Sequence, residues 1–140
     1  MSIRVKCLSP IIVALVIALG LRSMPVIADS VLLTQSGKAS HYGKRFHGKK
    51  TASGETFNQQ ALVAAHPSWP FGTIVRVTNI QNKRSVKVRI VDRGPAKKAQ
   101  RRGVIIDLST KAAKTLAFHN EGKAAVRLDV LKWGKKPKKR

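Results

Sequence analysis

Six carboxylates are the only acidic side chains in the sequence, and they are the first candidates for acid–base chemistry. Asp107 precedes a predicted helix by two residues, where an acid interacts favourably with the positive end of the helix dipole, so it is predicted to be a cap or helix-start residue. Asp29 is predicted to lie in a segment that frays, Glu121 just past that helix, and Asp129 on the outward face of a strand. Elimination leaves Glu55 and Asp92.

Glu55 and Asp92 both lie at predicted turns. Glu55 ends the small-residue segment TASGE (51–55), whose glycine lets the backbone bend freely. Asp92 ends a strand of alternating residues and is followed by RGP (93–95), which forces a turn. A carboxylate at a strand end that faces a turn is well placed to enter a cleft. The alternative, that Asp92 pairs with Arg93 or caps the turn, is left open by the spacing alone.

The histidines do not form a metal-binding pattern. None has the spacing of a helix-borne metal motif, or a neighbouring Cys or carboxylate that would complete one (His41, His47, His66 and His119). The single Cys7 excludes a disulfide framework and a Cys-based zinc site. We therefore predict no metal and no cofactor. His66 stands at the mouth of a predicted strand, and it is either a site residue or a hydrogen-bonded residue at a barrel rim.

Alternating apolar residues predict the strands that would carry these side chains. The clearest strand is 85–90, in which Val86, Val88 and Ile90 face inward. Further strands are predicted at 73–78, which forms a hairpin with it, around 126–130, and more briefly at 38–42, 61–65 and 104–106. One helix is predicted after an N-cap at Ser109, with a narrow apolar stripe (Ala112, Ala113, Leu116 and Ala117). The pattern favours a mainly β fold, a small β-barrel with one short helix.

The charge of the chain calls for a polyanionic neighbour. Its 140 residues include 28 Lys and Arg against 6 Asp and Glu, a formal net charge of +22. Nucleic acid, anionic lipid and an acidic wall polymer all meet that description. Basic pairs in predicted loops are either solvated surface or a field that concentrates an anionic polymer (44–45, 49–50, 97–98, 101–102 and the C-terminal tail).

Residues 1–28 have the pattern of a secretory signal peptide, with a short basic start, an apolar run and small residues before Asp29. A retained membrane anchor is the alternative. Cys7 precedes the apolar run, so it is not placed to carry a lipid after cleavage. The protein is therefore predicted to be exported, to the periplasm or the medium, with no lipid anchor and no integral membrane segment after signal cleavage. Export makes nucleic acid an unexpected partner.

The rest of the chain is predicted to hold a single domain, since its length allows one of ordinary size and not two. Residues 29–36 form a lead-in, residues 37–133 the folded domain and residues 134–140 a solvated basic tail.

Seven short motifs occur in the order seen in the rare lipoprotein A (RlpA)-like family. They are GKASHYG (37–43), TASGE (51–55), AAH (64–66), PFGT (70–73), VRVTN (75–79), DRGP (92–95) and IDLS (106–109). The chain resembles that family of septal-ring lytic transglycosylase-like proteins over nearly the whole predicted domain. The resemblance implies a six-stranded double-psi β-barrel.

The resemblance also implies an activity and the residues that carry it. Active members cleave peptidoglycan glycan strands without water and leave 1,6-anhydromuramoyl ends, which requires an acid and then a base. It implies that Asp92 is the general acid–base, Glu55 a second cleft carboxylate and His66 a substrate or carboxylate partner. The candidate substrate-binding residues are Tyr42, Ser53, Arg93 and His41.

Two departures from the family pattern bear on that activity. His41 stands where the family usually has Trp, and residues 96–103 are longer and more basic than the usual connection. The alternative reading is therefore a non-catalytic peptidoglycan-binding or wall-loosening module, as in expansin-like relatives. Under either reading the predicted partners are peptidoglycan glycan strands, with other anionic envelope polymers as further candidates, and the protein is a monomer.

Overall fold

A computed structural model describes residue 25 and residues 28–136. The predicted signal peptide, apart from two of its positions, and the last four residues of the basic tail lie outside the described residues. Within the described part of the chain, none of the helices has the length and apolar character needed to cross a bilayer.

The described chain forms a closed barrel of six strands, which confirms the predicted fold class. The strands are β1 (Leu33–His41), β2 (Val63–Ala65), β3 (Ile74–Asn79), β4 (Ser85–Asp92), β5 (Val104–Leu108) and β6 (Lys123–Lys132). The order around the barrel is β1-β5-β2-β4-β3-β6, with parallel pairing of β1 to β5 and of β2 to β4 and antiparallel pairing elsewhere. Two short helices, α1 (Lys97–Gln100) and α2 (Thr110–Thr115), and a 3₁₀ turn at Lys44–Phe46 complete the fold.

Burial follows the predicted alternation along β3, β4 and β6. Val86, Val88 and Ile90 of β4 are buried, as are the apolar residues that alternate along β3 and β6 (Val75, Val77, Val126, Leu128 and Val130). These side chains fill the barrel interior and hold the strand ends, and the side chains on them, in fixed positions.

Helix α2 packs on the core with three of the four residues of the predicted apolar stripe; the prediction is wrong for Ala117, which follows the end of the helix with φ +56° and is exposed. The Ser109 hydroxyl accepts a hydrogen bond from the Ala112 N–H, which is the expected N-cap. Ala112, Ala113 and Leu116 are fully buried against the core.

Three further features differ from the sequence prediction. Strand β1 spans Leu33–His41 and not 38–42, because Leu33 to Ser40 pair continuously with β6. Helix α1 was not predicted, since residues 96–103 carry no apolar stripe. Asp129 lies on the face opposite Leu128 but is only 3% exposed, because Thr34 donates to its carboxylate and Arg76 and Arg127 pair with it.

Candidate functional site

A hollow of about 470 Å³ opens at one rim of the barrel and contains two carboxylates, those of Asp92 and Asp107. Strand β2 lies between the two strands that carry them, and its last residue, Ala65, is paired with Asp92 on one side and with Asp107 on the other. Strands in a sheet lie about 4.8 Å apart, so the two Cα atoms are separated by about 10 Å across Ala65. The topology therefore brings two acids from strands that are not paired with each other to one level of the rim.

Gly94 forms the wall between these two acids. Its φ of +149° is a conformation that L side chains rarely adopt, so a non-glycine residue would be strained there. A Cβ atom at this position would also lie 3.2 Å from Oδ2 of Asp107, tighter than ordinary contact. The glycine of the DRGP segment thus lets the turn after β4 approach the second carboxylate.

Asp92 is held by three hydrogen bonds. Its Oδ1 accepts from the backbone N–H groups of Ala52 and Arg93, each at 2.8 Å, and its Oδ2 accepts from the Tyr42 hydroxyl at 2.7 Å. Asp92 therefore does cap the turn, as the alternative interpretation expected. The two backbone N–H groups bind only Oδ1, and Asp92 still lines the hollow. Burial, together with the bond to Asp92, raises the pKa of the Tyr42 hydroxyl above its ordinary range, so Tyr42 acts as a proton donor in this bond.

Asp107 is the site residue that sequence reasoning missed. The prediction that it caps or starts a helix is wrong, because it lies within β5 and Ser109 is the N-cap. Its carboxyl accepts a hydrogen bond from the Ser40 hydroxyl. Burial raises its pKa, and the nearby charge of Asp92 adds to the rise, while Ser40 and His41 oppose it. Asp107 therefore keeps its proton to a higher pH than an ordinary carboxyl does.

Glu55 does not line this hollow. Its side chain is exposed and faces a smaller neighbouring hollow with Arg89 and Val91. Its carboxylate lies 2.7 Å from Nη1 of Arg89, and the hydrogen bond from Arg89 holds the pKa of Glu55 below its usual range. Glu55 and Asp92 are linked only indirectly: Glu55 ends the 51–55 turn, and the backbone N–H of Ala52 in that turn donates to Asp92.

His66 is buried and fully hydrogen-bonded. Its Nδ1 accepts from the backbone N–H groups of Ser68 and Trp69, so its proton is on Nε2, which donates to Oε1 of Gln35. Its ring stacks on Trp69 at 3.8 Å, and burial lowers its pKa to about 4, with the charge of Arg93 adding to the effect. His66 is thus neutral near pH 7. These contacts agree with the second of the two interpretations of the sequence, a hydrogen-bonded histidine at the barrel rim.

The four predicted substrate-binding residues are divided between the hollow and its surroundings. Tyr42 and Arg93 line it. The Arg93 guanidinium donates to the Trp69 carbonyl at 2.8 Å, which supports the turn that holds His66. The hydroxyl of Ser53 lies 2.9 Å from that of Thr51, and Ser53 is not among the residues that line the hollow. His41 stacks on His119 at 4.6 Å and lies outside the lining of the hollow.

No metal-binding arrangement occurs among residue 25 and residues 28–136, where no three or more His, Cys, Asp and Glu side chains could hold an ion. The hollow instead offers two carboxyl groups in unlike surroundings, one of them with a raised pKa. Such a pair can give a proton and take one within a single site.

Comparison with protein-family models gives a match over residues 34–128 to a family described as "Lytic transglycolase". A relative from a Nostoc species, named "Probable endolytic peptidoglycan transglycosylase RlpA", is 54% identical over 107 residues, which are 75% of this chain and 28% of the relative. The Campylobacter jejuni protein named "Endolytic peptidoglycan transglycosylase RlpA" is 50% identical over 101 residues, 72% of this chain and 35% of the relative. The chain thus spans about a third of the length of these curated relatives.

Solved structures share the barrel at low identity. The Streptomyces papain inhibitor has a TM-score of 0.57 and 21% identity, covering 75% of this chain and 100% of that one. The apo expansin of Clavibacter michiganensis has a TM-score of 0.57 and 20% identity, covering 75% and 54%. At these identities the likeness concerns the fold alone.

Proposed function

The chain belongs to the RlpA-like family of double-psi β-barrel proteins, and from this premise we propose that it is a lytic transglycosylase that cleaves the glycan strands of peptidoglycan. The observation that supports this most directly is the placement of Asp92 and Asp107 in one hollow, on either side of Ala65. Both acids belong to motifs shared with the family, DRGP and IDLS.

The reaction needs one proton given and one proton taken. The bond between the anomeric carbon of the muramoyl residue and the bridging oxygen breaks, and the oxygen leaves with a proton. The C6 hydroxyl of the same muramoyl residue attacks that carbon and loses its proton, so a 1,6-anhydro ring forms and no water is consumed. An acid and a base in one cleft supply both transfers.

We assign the acid to Asp107 and the base to Asp92. Burial raises the pKa of Asp107, so this carboxyl keeps its proton to a higher pH than an ordinary carboxyl does, which suits it to give a proton to the leaving oxygen. Asp92 accepts three hydrogen bonds that fix its orientation toward the hollow, and it takes the proton of the C6 hydroxyl. The proton then returns from Asp92 to Asp107 before the next turnover. This assignment divides between two residues the acid–base role that the family resemblance implies for Asp92 alone.

Glu55 and His66 have supporting roles in this proposal. Glu55 lies on the turn that holds Asp92 and faces the smaller hollow that it lines with Arg89 and Val91. There it orients the glycan strand next to the bond that is cleaved. His66 is a positioning residue, since its backbone N–H donates to the Asp92 carbonyl at 3.1 Å. The hydrogen bonds of its ring go to Gln35, Ser68 and Trp69 and to neither acid of the hollow. Tyr42 and Arg93 line the hollow beside the substrate.

The proposed setting follows from the N-terminal pattern and the charge. The protein is exported to the periplasm or the medium after removal of residues 1–28, without a lipid anchor, and acts as a monomer on peptidoglycan. Removal of residues 1–28 takes away Arg4, Lys6 and Arg22, so the net charge falls from +22 to +19, which still keeps the protein close to anionic envelope polymers.

The test is incubation of protein 29–140 with purified sacculi, followed by mass spectrometry of the soluble products. Products with 1,6-anhydromuramoyl ends from wild type, and none from Asp92→Asn, are the expected result. Salt-sensitive binding to sacculi with no products would instead support the binding or wall-loosening module.

A further inference from the structure

Residues 96–103 border the hollow that contains Asp92 and Asp107, and they form part of its wall. Ala96, Lys97 and Gln100 line the hollow, and the other basic residues of the segment lie beside these lining positions in the chain. The segment is held at both ends, because Nε2 of Gln100 donates to the Pro95 carbonyl at 2.7 Å and the Gly103 carbonyl accepts from the Lys38 N–H of β1 at 2.9 Å. The wall is therefore fixed to the barrel and has a defined face toward the site.

This wall is strongly basic and lacks acidic partners among the described residues. Lys97, Lys98, Arg101 and Arg102 are exposed within six consecutive positions. None of these four residues takes part in an ion pair of the described chain, in which the basic partners are Arg76, Lys87, Arg89 and Arg127. Four adjacent cations that form no ion pair repel one another, and an anion bound beside them relieves that repulsion.

We propose that residues 96–103 recognise a carboxylate group carried by the glycan strand next to the cleaved bond, and that Lys97 is the main residue that binds it. This inference rests on the proposed function, because it names the feature of the glycan that the cleft selects. Lys97 presents a compact positive charge at the hollow, while Arg101 and Arg102 can hold a carboxylate through paired N–H donors.

Two sources in peptidoglycan supply such a carboxylate. Each muramoyl ring bears a lactyl group, which ends in a free carboxylate where the stem peptide has been removed. Where the peptide is present, the lactyl group is an amide and the carboxylates belong to the peptide. The chemistry recognised is the same in both, so the experiment must separate the two sources.

The experiment measures binding to sacculi in an Asp92→Asn background, so that the matrix is not consumed. Asn keeps an oxygen to accept from the N–H groups of Ala52 and Arg93, which preserves the turn. The test variant is Lys97→Gln/Lys98→Gln. The matched control is Lys111→Gln/Lys114→Gln, which removes the same charge from exposed positions of α2 that do not line the hollow.

Three matrices are compared: peptide-bearing sacculi, sacculi denuded by an amidase, and both kinds after their carboxylates are converted to neutral amides. We expect the parent and the control to bind at least one carboxylate-bearing matrix several-fold more tightly than its neutralised form. The test variant should lose that preference and bind neutralised sacculi as the control does. The carboxylate-bearing matrix that shows the larger loss identifies the lactyl group or the stem peptide as the source.

An equal loss for the test and control variants on every matrix would overturn the proposal, because charge alone would then explain binding. Equal binding of the parent to charged and neutralised sacculi would overturn it as well. Product formation by wild type is measured separately, so failure of the lytic activity and failure of carboxylate recognition give different results.

Discussion

The hydroxyl of Tyr42 donates a hydrogen bond of 2.7 Å to Oδ2 of Asp92 and so joins the chain after β1 to the end of β4, two strands that are not neighbours in the barrel. The Tyr42 ring packs at 4.3 Å from that of Phe57 and 5.4 Å from that of Phe46. The carboxylate is thus oriented by a side chain that is itself fixed by aromatic contacts.

Replacement of Tyr42 by Phe should keep those aromatic contacts and remove the hydrogen bond to Asp92. We expect a clear fall in the rate of product release and a loss of about 1–2 kcal/mol in the free energy of unfolding, since one half-buried hydrogen bond is lost. Urea unfolding and product release from sacculi measure the two effects. Unchanged turnover in Tyr42→Phe would show that the orientation of Asp92 does not depend on this bond.

Asp107→Asn should reduce turnover by about 10²–10⁴-fold, because the general acid is removed. In wild type we expect activity to fall as the pH rises through the raised pKa of Asp107, where this carboxyl loses its proton. The residual activity of the variant should lack that fall. A variant with near wild-type activity and an unchanged pH profile would exclude Asp107 as the acid.

The same substitution has a predicted effect on stability. Because the pKa of Asp107 is raised in the folded protein, the native state binds its proton more tightly than the unfolded state does. This carboxyl therefore favours folding less as the pH rises from its unfolded pKa through its folded one. The pH range between the unfolded and the folded pKa of Asp107 is therefore where the stabilities diverge. Above this range Asp107→Asn should be more stable relative to wild type than it is below it, as measured by thermal unfolding at a series of pH values.

His66→Asn should test the buried neutral state of His66, because it removes the titratable ring while the Asn side-chain oxygen can accept from Ser68 and Trp69 as Nδ1 does. The pKa of His66 is lowered from 6.5 to about 4, so below the higher value the unfolded state binds more protons than the native state. Wild type should therefore lose stability as the pH falls through this window, and His66→Asn should lose less. Identical acid sensitivity of the two proteins would contradict the buried neutral state.

Glu55→Gln should lower turnover while changing the free energy of unfolding by less than about 1 kcal/mol, because its ion pair with Arg89 is exposed. The matched control is Arg89→Gln, which breaks the same pair and keeps the carboxylate. We expect Arg89→Gln to retain more activity than Glu55→Gln when product release is measured. Equal losses would mean that the ion pair matters to the reaction and the carboxylate by itself does not.

The sequence predicts those parts of the fold in which local pattern and burial agree. Alternation along 85–90 places the buried residues of β4 correctly, and it also places Asp92 at the rim. The first half of β1 escapes prediction because residues 34–37 are polar or glycine, and their strand geometry comes from pairing with β6.

The second acid of the site could not be placed by spacing. Asp107 and Asp92 come together because Ala65 pairs with both, which depends on the order of strands around the barrel and not on any local signal. The position of Asp107 before a helix favoured the cap interpretation. The IDLS motif was the one feature of the sequence that pointed to it.

Digestion of sacculi in water labelled with heavy oxygen tests most directly whether the paired carboxyls catalyse cleavage without water. The account predicts that wild type forms soluble products with 1,6-anhydromuramoyl ends and no heavy oxygen at the anomeric carbon, that Asp92→Asn forms none, and that Asp107→Asn forms them only at its strongly reduced residual rate. Heavy oxygen at that carbon would show hydrolysis, and undiminished products from either variant would show that the two acids do not carry the reaction.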